Sequence, residues 1–143
     1  MALRDPISYF ADQVSKTVAR AMEELSEEGW RDLIIRGEGD TISVDSGDIT
    51  ADIRLEVPPV GYGDFAFPCY QLTRFYEAPP NNVAFSLFPM IQVTEDLEPP
   101  QLAGPYINFA IRPGRLVEET LRAALELGDA YGNLEDKRTR LVL

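Results

Sequence analysis

The sequence predicts an α+β domain, a mainly antiparallel sheet of about four strands with helices packed on one face. Three observations carry this expectation. Apolar residues recur every three and four positions over a long N-terminal stretch, alternate at every second position on either side of a Ser-Gly turn, and nowhere form the strand, tight turn and long helix of a parallel βαβ unit. At 143 residues, 45% hydrophobic and 26% charged, the chain reads as a single domain over residues 1–143, able to bury one core without metal or disulfide.

From Asp5 to Glu28, residues Ile7, Phe10, Ala11, Val14, Val18, Met22 and Leu25 share one helical face. Asp5 suits the N-cap, Pro6 the first helical position and Gly29 the C-terminal stop, while Glu23, Glu24, Glu27 and Glu28 read as a solvated face. After an apolar run at Leu33 to Ile35 come two half-buried strands. Thr41 to Asp45 puts Ile42 and Val44 on one face, and Ile49 to Val57 does the same with Ile49, Ala51, Ile53, Leu55 and Val57; Ser46-Gly47 turns them into a hairpin. Pro58-Pro59 ends the second strand. The stretch from Gly61 to Ala66 formally spells G-x-G-x-x-A, but two intervening prolines and a hairpin-paired strand before it argue against a dinucleotide turn.

Helical segments are expected near Pro68 to Tyr76 and over Pro80 to Met90, the latter with Val83, Ala84, Leu87 and Phe88 inward. A loop from Gln92 to Leu102 leads to a strand, Tyr106 to Arg112. There Ile107, Phe109 and Ile111 face one way and Tyr106, Asn108 and Arg112 the other. A helix over Leu116 to Leu127 turns Leu116, Val117, Leu121, Ala124 and Leu125 to the core and stops at Gly128. The last apolar run, Leu141 to Leu143, reads as a strand that continues in a longer polypeptide.

Composition restricts the chemistry. There is no histidine, which removes Ser-His and Cys-His nucleophile pairs, imidazole zinc sites and the histidine signature of many nucleotidyl-transfer enzymes. Catalysis by carboxylates alone remains open, although no pair of them stands out. Cys69 is the single cysteine, so it reads as a small buried apolar residue in a reducing, cytoplasmic setting. No apolar run approaches the length of a membrane span. A net charge of −11 repels phosphate backbones and anionic membranes, so any nucleic-acid contact must be local. The 13 basic residues are all arginine except Lys16 and Lys137, and arginine is the residue that grips phosphate with a planar fork.

Two segments carry a resemblance. Val57-Pro-Pro-Val-Gly-Tyr-Gly-Asp-Phe-Ala-Phe-Pro68, followed by Ala103-Gly-Pro-Tyr-Ile-Asn-Phe109, closely resembles the N-terminal additional domain of arginyl-tRNA synthetases. The resemblance covers nearly the whole chain, the acidic hairpin around Ser46 being a departure. It implies a domain that leans on the elbow of tRNA and reads its D-loop through the Gly-Pro-aromatic strand, with Ala103, Tyr106 and Asn108 at the matching positions. It further implies a parent ligase that uses ATP and Mg, with the catalytic domain as a partner outside this segment. The segment itself would need no cofactor or metal and would neither activate arginine nor touch DNA or membrane.

Alternation independently places Tyr106 and Asn108 opposite the core-directed residues. A tyrosine ring stacks on an unpaired base and an amide pairs with a base edge, the usual way single-stranded RNA loops are read. Arg112 and Arg115 are candidates for phosphate contacts, with Arg74 a further member. The structural alternative is that Tyr106 and Asn108 merely finish a strand, and Asp64, Phe65 and Phe67 read as a cap and core. With its negative charge the isolated segment is expected to bind tRNA weakly and in a strongly salt-dependent way. The alternative function is a free-standing adaptor that docks on a protein partner through an acidic surface and Tyr62, Tyr70 and Tyr76.

Overall fold

The computed structural model describes residues 6–27 and 32–131. Helix α1 (Pro6–Glu27) buries Phe10, Val14, Val18, Met22 and Leu25 of the face its spacing predicts, while Ile7 at its first turn is exposed. The proposed cap Asp5, the stop Gly29 and the terminal run Leu141 to Leu143 lie outside the described residues. α1 rests on the strand β1 (Ile34–Glu38), close enough that a Cβ at Gly37 would overlap the Ser15 carbonyl. The Gly39 N–H donates to Asp12 Oδ1 at 2.8 Å, tying the following turn to the same helix.

β1 pairs antiparallel with β2 (Thr41–Asp45), and β2 with β3 (Thr50–Arg54). The β2–β3 hairpin is the predicted one, with Ile42 opposite Ile53 and Val44 opposite Ala51. Its turn is held by the Gly47 N–H donating to Asp45 Oδ1 at 2.8 Å. The second strand is shorter than alternation suggested. Leu55 is still buried, but Val57 is 88% exposed, because Glu56 leaves the first sheet and bridges to Ala66.

A second antiparallel sheet follows, so the described residues form two three-stranded sheets rather than one of about four. Strand β4 (Phe65–Pro68) runs into a 3₁₀ turn (Cys69–Leu72) and the short helix α2 (Thr73–Tyr76). Helix α3 (Pro80–Leu87) buries Val83, Ala84 and Leu87 as expected and ends in a 3₁₀ turn (Phe88–Met90). Strand β5 (Gln101–Ala103) lies within what reads as loop, and β6 (Tyr106–Phe109) sits between β4 and β5. Phe65, Phe67, Ile107 and Phe109 join α1 and α3 in one core, with Cys69 fully buried at its edge.

Helix α4 (Pro113–Tyr131) begins earlier than expected and runs through Gly128, a position where glycine costs only about 1 kcal/mol relative to alanine. Its apolar face departs from expectation as well. Leu116 packs against the core, but Val117, Leu121 and Leu125 are 60%, 49% and 51% exposed.

Candidate functional site

β6 divides the second sheet into two faces. Ile107 and Phe109 point into the core, and Tyr106 and Asn108 occupy the opposite face, as the period of two requires. Strand register then fixes their neighbours. One row across the sheet reads Glu56, Ala66, Asn108, Gln101, and the next reads Pro68, Tyr106, Ala103. Small side chains at Ala66 and Ala103 leave a gap between the larger ones.

The loop from Val57 to Gly63 overhangs this face. Gly61 and Gly63 adopt φ of 94° and 105°, conformations that side chains other than glycine's rarely take. A Cβ on Gly63 would also lie 2.7 Å from the Phe109 carbonyl oxygen. Asp64 completes the attachment: its N–H donates to the Phe109 carbonyl at 2.7 Å, and its Oδ2 accepts from the Ile111 N–H at 2.8 Å. Gly63-Asp64 is therefore a clasp between the loop and the end of β6, and no helix follows it. The G-x-G-x-x-A string runs into β4, so it offers no helix N-terminus to a phosphate. No group of three or more metal-ligating side chains occurs among the described residues.

Between loop and sheet lie two adjoining grooves. One, of about 440 Å³, is lined by Glu56, Pro58, Tyr62, Ala66, Ala103, Tyr106 and Asn108 among others. The other, of about 410 Å³, is lined by Tyr62, Glu98, Pro100, Gln101 and Asn108 among others. Tyr62 and Asn108 line both, so the grooves meet at these two residues. Tyr106 is half-buried along one wall. Asn108 departs from the exposed position expected of it: the overhanging loop leaves it 8% exposed, and its Oδ1 has no hydrogen-bond partner. A buried amide oxygen without a partner costs on the order of 1–3 kcal/mol, so a donor entering either groove would be favoured there.

At the rim the Tyr70 hydroxyl donates to Glu56 Oε2 at 3.1 Å. The Tyr70 and Tyr106 rings stand nearly perpendicular, centroids 5.9 Å apart. Desolvation first, then the neighbouring Glu56 and Tyr70, raise the Tyr106 phenol above its ordinary range, so it stays protonated at neutral pH. Of the tyrosines read from the sequence as exposed for a protein partner, Tyr62 lines both grooves, Tyr70 touches their lining residues Glu56 and Tyr106, and Tyr76 is buried; Glu56 was not signalled by any motif.

The arginines are placed differently. Arg115 donates from Nε to Asp96 Oδ1 at 2.6 Å and from Nη1 to Glu118 Oε1 at 2.6 Å, with Nη2 3.4 Å from Glu119 Oε1. Its guanidinium also lies 6.0 Å from the Phe10 ring centroid. The hydrogen bonds to Asp96 and Glu118 raise its pKa. Asp96 also accepts from Gln13 at 2.9 Å; desolvation pushes its carboxyl up, but the bonds from Gln13 and Arg115 outweigh that and leave it below its usual range. Arg115 therefore fastens α4 to α1. Arg112 donates to the Glu95 carbonyl at 2.8 Å and lies 4.0 Å from Glu98, beside the second groove. Arg74 is exposed on α2.

Residues 12–111, which contain β6 and both grooves, match the family described as the arginyl tRNA synthetase N terminal domain. The chain belongs to that family. Within it, the arginine–tRNA ligase of Alkaliphilus metalliredigens is 36% identical over 80 residues, spanning 55% of this chain and 14% of that ligase. The ligase of Clostridium beijerinckii is 39% identical over 79 residues, spanning 54% and 14%. The chain thus matches about one seventh of the length of these relatives. Among solved structures, the Thermus thermophilus arginyl-tRNA synthetase shares the fold with a TM-score of 0.52 at 23% identity, over 76% of this chain and 15% of that one. In this N-terminal domain, α4 lies beyond the matched segment. No helix of the described residues is long and apolar enough to cross a membrane.

Proposed function

We propose that this domain binds the D-loop at the elbow of tRNA(Arg) and helps position it for aminoacylation by a catalytic domain of the parent ligase, without itself activating arginine. The observation that carries the reading is the unpartnered Asn108 amide oxygen at the meeting of two grooves, with the Tyr106 ring alongside it. A flat base entering over Ala66 can stack on or against the tyrosine while a base-edge donor meets the amide. Ala103 supplies room in the same wall rather than a polar contact. Arg112, beside the second groove, and the exposed Arg74 are the cations we assign to phosphate, whereas Arg115 would have to give up three carboxylate partners. Family membership supports the tRNA partner, and the match to only the N-terminal seventh of the relatives supports a role that relies on a catalytic domain elsewhere in the parent ligase.

The test is binding of a tRNA(Arg) transcript to the chain at low salt. Tyr106→Ala should weaken it roughly tenfold, since base–aromatic stacking is worth about 1–3 kcal/mol, and Asn108→Ala should weaken it too. Phe109→Ala serves as the contrast: this core residue is 1% exposed, so its loss should lower stability by about 3–5 kcal/mol. Equal binding of intact and D-loop-altered transcripts, by wild type and variants alike, would refute the proposal.

A further inference from the structure

Glu56 and Tyr70 are tied to the groove by independent attachments. The Glu56 backbone exchanges two hydrogen bonds with Ala66, both 2.8 Å, which places its carboxylate in the same cross-strand row as Asn108 with only the small Ala66 between them. Tyr70 sits on the 3₁₀ turn whose Cys69 N–H donates to the Pro105 carbonyl at 2.8 Å, so its backbone is anchored to the β5–β6 turn next to Tyr106. Its hydroxyl then reaches Glu56 across the mouth of the groove at 3.1 Å. The phenol is held from both ends, and its ring stands 77° to that of Tyr106.

We infer that Tyr70 and Glu56 are positioning residues that brace the Tyr106 ring upright beside the gap over Ala66, so that the groove is already shaped for one flat, unstacked nucleobase before RNA arrives. This rests on the reading of the groove as the RNA site. A half-buried tyrosine without such a brace samples several side-chain wells, and fixing it on binding weakens affinity by roughly two- to tenfold. Tyr70 is itself 40% exposed, so its hydroxyl bond lends the fold little, and its geometric effect falls on Tyr106.

The experiment compares wild type, Tyr70→Phe, Glu56→Ala, Tyr106→Ala and the Tyr70→Phe/Tyr106→Ala double variant. In the free protein, side-chain scalar couplings of Tyr106 should report one χ1 well in wild type and averaging in Tyr70→Phe and Glu56→Ala; unchanged couplings in both overturn the brace. With a tRNA(Arg) transcript, Tyr70→Phe, which keeps the ring and the melting temperature, should bind about fivefold more weakly than wild type. On the Tyr106→Ala background it should change nothing further, whereas an additive loss would show Tyr70 acting on RNA directly and not through Tyr106. Wild-type binding by Tyr70→Phe alongside a weakened Tyr106→Ala overturns the brace and leaves the site standing. Wild-type binding by Tyr106→Ala overturns the reading of the groove beneath it.

Discussion

Cys69 lies where β4 turns away from the second sheet, with no surface exposed to water. Burial alone pushes its thiol from 9.0 up to about 12, since a thiolate there would be stripped of solvent. The sign of the consequence is fixed. Below pH 9 both folded and unfolded chains keep the proton, and the stability tied to it is whole; above pH 9 the unfolded chain releases a proton that the folded chain retains until about pH 12, so stability falls as pH rises through this window. One titrating group changes stability by about 1.4 kcal/mol per pH unit. Chemical denaturation should therefore show the wild type losing roughly that amount between pH 8 and pH 10, and Cys69→Ala losing distinctly less. Equal slopes would mean that the thiol is reached by water.

Among the elements, the junction of α1, α4 and the loop before β5 depends on one guanidinium. Arg115 binds Asp96, and Asp96 holds Gln13 of α1 while its carbonyl accepts from the Arg112 N–H at 2.9 Å. Three chain segments thus converge on a pair whose side chains are 23% and 16% exposed. Arg115→Ala should cost about 2 kcal/mol, in the range of a charge-assisted hydrogen bond with its partner left behind, read as a shift in denaturation midpoint. Because the folded Asp96 carboxyl is held below its ordinary 3.8, the stability it lends is present above that value and lost as pH falls, so the gap between wild type and Arg115→Ala should close in acid. A gap that persists unchanged at low pH would assign the loss to packing on Phe10 instead.

The same elements show what was legible in the sequence. α1 and the β2–β3 hairpin were visible because each buries one face, and burial of one face leaves a period. β4 was hidden, since Phe65, Ala66, Phe67 and Pro68 are buried on both sides and nothing alternates. β1 was blurred by Gly37, there for the close approach of α1, and β5 is a three-residue edge strand. At the site, alternation put Tyr106 and Asn108 on the correct face but not at the correct depth. Their cover is a loop from more than 40 residues earlier in the chain, and no local pattern records that. The carboxylates that occupy Arg115 were equally out of sight, Asp96 being brought in by the tertiary fold.

For the whole molecule the governing quantity is the net charge of −11 set against few uncommitted cations near the groove among the described residues. Of the arginines proposed for phosphate, Arg115 is held by Asp96, Glu118 and Glu119, and Arg112 by the Glu95 carbonyl and Glu98. Counterion release scales with the number of phosphates neutralised, each adding a little under one unit to the slope of log affinity against log salt. Composition alone suggested strong salt dependence; these engagements argue for one or two phosphate contacts and a slope of only about −1 to −2. Binding of the isolated chain to a tRNA(Arg) transcript should accordingly be weak and carried mostly by the base groove. Doubling the salt should weaken it by roughly two- to fourfold. Titrations at several salt concentrations decide the matter. A slope steeper than about −4 would require a phosphate-binding surface elsewhere on the chain, and Arg112→Gln and Arg74→Gln, each expected to flatten the slope by about one unit if it meets phosphate, show which of the two takes part.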